Sequence, residues 1–110
     1  LQNLRLLSMQ SSQHTIHISD DDMIHITWKH VTLCINPTGL IYLLDFLDGS
    51  PCFRNIGFEA YGNMDDGFEI WIENVGLRLS TDDCIKFKQL LTDGLNTLRS
   101  SSQPTSITQK

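Results

Sequence analysis

A gapless internal repeat is the strongest constraint on how this chain folds. Sliding the sequence by 44 places lays residues 21–47 (DDMIHITWKHVTLCINPTGLIYLLDFL) on residues 65–91 (DDGFEIWIENVGLRLSTDDCIKFKQLL). Seven of the 27 positions are identical: Asp21/Asp65, Asp22/Asp66, Ile26/Ile70, Val31/Val75, Leu33/Leu77, Ile41/Ile85 and Leu47/Leu91. Average residue usage gives roughly one or two such matches by chance. Six further pairs keep an apolar residue, among them Ile24/Phe68, Trp28/Ile72 and Ile35/Leu79. A pattern carried twice implies one supersecondary unit built twice, so each copy checks the reading of the other.

Within the pattern, apolar residues alternate with polar ones. Ile24, Ile26 and Trp28 form one such run and Val31, Leu33 and Ile35 the next, which is the signature of half-buried strands. A two-residue turn at Lys29-His30 sets 28 opposite 31, 26 opposite 33 and 24 opposite 35. Every apolar residue then meets another on the same side of the sheet. A turn at Glu73-Asn74 does the same for Ile72 with Val75, Ile70 with Leu77 and Phe68 with Leu79. A strand precedes each hairpin, Thr15–Ile18 in the first copy and Phe58–Tyr61 in the second. A helix follows each. Asn36 caps the first, with Pro37 in its first turn, and Ser80 with Asp83 opens the second in the manner of a capping box.

The expected fold is therefore α+β: a tandem βββα repeat forming one antiparallel sheet of about six strands, with both helices packed on one face. Two separate three-stranded sheets are the alternative. The 110 residues suffice for one small domain. It is expected over 12–99, with copies at about 14–57 and 58–99, an N-terminal extension at 1–11 and a polar, flexible tail at 100–110. The opening LQNLRLLSMQ is too short an apolar stretch for a signal peptide, and Met9 is an alternative start.

Charge narrows the function classes. All thirteen acids and five of the eight bases lie between Met9 and Thr97, a net of −8 for that segment. Phosphate binding needs a clustered positive field, so nucleic acid is not an expected partner. No 18-residue apolar run is present, so a membrane is not expected either. Three cysteines (34, 52 and 84) without a CxxC pair suit reduced thiols in the cytoplasm.

The repeat also sets rows of neighbours on the polar face. His17, His25 and Cys34 form one row, and their N and S donors suit Zn or Cu. No fourth ligand is identifiable unless His14 or His30 is recruited. A Cys beside a His is also the start of a nucleophilic site, although no oxyanion hole is evident. The acidic clusters Asp20-Asp21-Asp22 and Asp65-Asp66-Gly67 fit turns rather than calcium loops. In the second copy, Tyr61, Glu69 and Arg78 form a cross-strand row. Trp71 falls opposite Gly76, either shielding that strand or anchoring a partner. Where the second helix has Lys86 and Lys88, the first has Tyr42 and Leu44. That apolar helix needs cover from the N-terminal leucines (Leu1, Leu4, Leu7), the second helix or a second copy.

The leading expectation is a small, non-enzymatic accessory domain that self-associates without a cofactor, using Tyr42, Leu44 and Trp71 as contact residues. The alternative is a metal or small-ligand binder using His17, His25 and Cys34, and a Cys/His enzyme is third.

Overall fold

A computed structural model of the chain describes residues 3–49, 58–63 and 65–102. The elements run β1 (Leu4–Ser11), β2 (His14–Ser19), β3 (Ile24–Trp28), β4 (Val31–Ile35), α1 (Pro37–Leu47), β5 (Glu59–Asn63), β6 (Gly67–Ile72), β7 (Val75–Leu79) and α2 (Thr81–Ser102). The fold is a mixed α+β one. Its strands form two antiparallel sheets, β1-β2-β3-β4 and β5-β6-β7.

This corrects the expectation of a single sheet of about six strands. β4 and β7 touch, but no ladder joins them, so the sheet is parted there. The additional strand is β1, drawn from residues expected only as an extension. Its period-2 pattern is hidden by two register irregularities, between Leu6 and Ser8 and between Met9 and Ser11. The first lets Leu7 and Ser8 both face inward, which breaks the alternation that identifies a strand. Residues 50–57, which carry Cys52 and the expected boundary between copies, lie outside the described residues, as does the tail from 103 onward.

The hairpin registers are those expected from the pattern: Ile24 with Ile35, Ile26 with Leu33 and Trp28 with Val31, then Phe68 with Leu79, Ile70 with Leu77 and Ile72 with Val75. Lys29 and Glu73, the first residues of the two turns, have φ of 58° and 53°. Positive φ at this position is shared by the primed turns, whose twist matches that of the flanking strands. Val75, at the tip of the second hairpin, is 45% exposed and opens onto the seam between β4 and β7 rather than entering the core.

Asn36 Oδ1 accepts a hydrogen bond from the Gly39 amide at 2.7 Å and so caps α1. Ser80 Oγ accepts one from the Asp83 amide at 3.3 Å at the head of α2. The helices then cross over. α2, which follows the second sheet, packs on β1 and β2 of the first as well as on β6 and β7. Phe87 meets Trp28 edge-on with ring centroids 5.2 Å apart, and Gly94 lies against Ile16. α1, which follows the first sheet, packs against α2 and β5, and Phe46 meets Phe68 at 5.2 Å. One continuous core results, centred on Ile16, Ile26, Trp28, Leu40, Ile70, Phe87 and Leu90.

Candidate functional site

Strand register fixes which side chains share the face of the first sheet that looks away from α2. Leu6, His17, His25 and Cys34 form one row across the four strands, and Met9, Thr15, Thr27 and Thr32 form the next. Leu4 and Ser19 pair at the following position. None of these ten residues carries a carboxylate, ammonium or guanidinium group. The three β1 side chains stand highest, with Leu4 53%, Leu6 47% and Met9 56% exposed. Beside them Thr15 and Ser19 are short and buried, and Thr27 is half-buried. The face is thus an apolar ridge next to a shallow hydroxyl-lined trough.

Thr27 and Thr32 hydrogen-bond across strands at 3.2 Å. Asp21 stands at the rim, where it accepts a hydrogen bond from Ser19 Oγ.

The expected row of His17, His25 and Cys34 does form. Cys34 Sγ lies 3.1 Å from His25 Nδ1. Among the described residues, however, no three His, Cys, Asp or Glu side chains come together where an ion would sit. His14 cannot be recruited, because it stacks on Trp28 on the opposite face with ring centroids 3.9 Å apart. The Cys34 thiol is also pushed above its ordinary value, first by burial and then by the nearby Asp21 carboxylate. A nucleophilic cysteine needs the reverse shift, so this pair is set to keep its proton on sulfur. Cys84 is raised too, chiefly by burial.

The expected helix surface is only partly there. Leu44, expected among the contact residues, is buried and belongs to the core cluster. Physically, α1 is covered by α2 and β5, and the flank bearing Gly39, Leu40, Leu43, Leu44 and Leu47 is the one they cover. Tyr42 and Ile41 remain at the surface. Trp71 is exposed, with its ring directly above Gly76 and its Nε1 donating to Glu69 Oε1 at 3.1 Å. Glu69 also pairs with Arg78 at 3.6 Å, and Tyr61 donates to Glu59 at 2.7 Å. The outer face of the second sheet is therefore charged and cross-bonded, in contrast to that of the first.

The acidic clusters sit in turns. Asn63 Oδ1 accepts from the amides of Asp65 and Asp66 at 2.9 and 2.8 Å, and Asp22 has a φ of 62°. At the seam, Thr32, Leu33 and Cys34 face Ile72–Val75 across a groove of about 340 Å³. No helix among the described residues is long and apolar enough to cross a membrane.

Sequence reasoning missed the Leu4–Leu6–Met9 ridge. The available signal was the leucine-rich N-terminus, read as cover for the first helix; of Leu4, Leu6 and Leu7, Leu7 turns inward, and it lies in the strand that α2 covers. No protein family, no curated protein and no solved structure matches this chain.

Proposed function

We propose that the chain is a small, non-enzymatic interaction domain whose working surface is the outer face of its four-stranded sheet. One observation carries the reading: ten side chains on four strands, none charged, with three large apolar ones prominent in solvent. Surface positions of a chain with 21 charged residues ordinarily include some of them. Depletion of charge together with exposed Leu and Met is the compositional mark of a contact surface. The protonated Cys34 thiol supports a binding rather than a catalytic role.

Site-specific photo-crosslinking in cells producing the full chain tests this. A photoreactive amino acid replacing Leu6 or Met9 is expected to give discrete adducts of defined mass. The same group replacing Ile85 on α2, which is 66% exposed, is expected to give none. Equal adducts from all three positions, or none from Leu6 and Met9, would remove the reading.

A further inference from the structure

We propose that the occupant of this face is a second copy of the chain, stacked sheet on sheet about a two-fold axis; the proposal rests on the interaction reading above. Relief is the first argument. Leu4, Leu6 and Met9 are evenly spaced when measured against β2, facing Ser19, His17 and Thr15 in turn, because the irregularity after Leu6 absorbs one residue. The result is a straight ridge along one side of the face. Thr15, Ser19 and Thr27 form the trough beside it, where side chains are short and lie low. Turning a copy over about an axis parallel to the strands lays each ridge above the other copy's trough. A surface that fits itself in this way is what an isologous dimer requires. Facing sheets then stand about 10 Å apart, the ordinary spacing of packed sheets.

Charge is the second argument. The chain carries −5 overall, yet the ten residues of this face hold no carboxylate, and Asp21 stands only at its rim. Two copies repel each other through their other surfaces and meet least resistance here. A cationic partner, by contrast, would be steered to the carboxylates that lie elsewhere.

Area sets the strength. Laying the ridge over the β2–β3 trough brings three strands of each copy face to face, and at about 4.8 Å between strands and about 6.8 Å between rows this gives about 300 Å² per copy in projection. The pair therefore buries about 600 Å², well below the roughly 1,200 Å² of stable complexes, so the dimer is weak, reversible and dependent on concentration.

Sedimentation velocity of the purified full chain over a wide concentration range tests the proposal. Wild type is expected to shift from monomer toward dimer as concentration rises. Leu6→Glu on the ridge and Thr27→Glu in the trough are each expected to abolish the shift, and Ile85→Glu to leave it intact. If a charged variant loses its fold, the Met9 methyl resonance of wild type is the second readout, expected to move with concentration. A wild type that stays monomeric, a Thr27→Glu variant that associates like wild type, or a Met9 methyl that ignores concentration would each overturn the proposal. A monomeric purified chain that still gives adducts at Leu6 in cells overturns the second copy alone. Loss of those adducts as well overturns the interaction reading with it.

Discussion

The six-membered ring of Trp71 covers Gly76 so closely that a Cβ built on the glycine would stand 2.7 Å from the ring carbons. The two residues are directly paired across β6 and β7. A cross-strand indole over glycine shields a stretch of backbone that otherwise has no side chain above it. Gly76→Ala is expected to destabilise the fold by roughly 1–2 kcal/mol through overpacking. In a Trp71→Ala background the same change should be neutral or mildly stabilising, since alanine suits a strand better than glycine. Urea unfolding of the four proteins in a double-mutant cycle measures the coupling.

Leu44 and Tyr42 are two residues apart on α1, one in the core and one at the surface. Leu44→Glu forces a carboxylate into packed apolar surroundings and is expected to cost more than about 3 kcal/mol, a large fraction of the roughly 5–15 kcal/mol by which small domains are stable. Tyr42→Glu should stay within about 1 kcal/mol. Thermal unfolding followed by circular dichroism separates the two.

Lys29 and Glu73 hold left-handed φ values without being glycine. Such a conformation costs a residue with a Cβ roughly 1–2 kcal/mol, part of which glycine recovers at the expense of chain entropy. Glu73→Gly is therefore expected to stabilise by about 0.5 kcal/mol. Lys29→Gly should gain less, because Lys29 also meets Asp83 of α2 at 3.5 Å. Paired chemical-denaturation curves give the ranking.

The Cys34 and Cys84 thiols hold their protons above the ordinary value of 9.0. The unfolded chain releases those protons first as pH rises. The stability they contribute is thus intact below about pH 9 and is withdrawn as pH climbs toward the folded-state values. In a Cys52→Ser background, alkylation of Cys34 by iodoacetamide should be slow at pH 7 and still accelerating above pH 9. A rate that levels off below pH 8.5 would contradict a thiol held up by burial and by the Asp21 carboxylate.

Crossing of the helices makes the halves interdependent. Residues 1–49 lack Phe87, Gly94 and the rest of α2 that cover Ile16 and Trp28, and residues 58–102 lack Phe46, which meets Phe68. Neither fragment is expected to unfold cooperatively when produced alone. A mixture of the two is expected to recover the near-ultraviolet circular dichroism of Trp28.

Much of the local architecture was legible because alternation and turn spacing are short-range signals. The pairs Ile26 with Leu33 and Ile70 with Leu77 follow from counting out from two turns, and the row of His17, His25 and Cys34 follows from that register. β1 was not legible, because Leu6, Leu7 and Ser8 violate the alternation at a bulge, and a bulge is visible only once its partner strand is known. The burial of Leu44 was hidden for a related reason. Which flank of an apolar helix is covered depends on where a distant helix lies, and no local period encodes that. The charge-free face was present in the composition of the strands, but its ridge belongs to the one strand that the pattern concealed.

Trp28 must wait for Phe87, which the ribosome adds 59 residues later. Until then the hairpins of the first sheet are made but remain without their roof, exposing Ile16, Ile26 and Trp28 on one side and Leu4, Leu6 and Met9 on the other. Synthesis of this protein therefore passes through a stage in which a ribbon oily on both sides stands open to neighbours, and the arrival of α2 ends it.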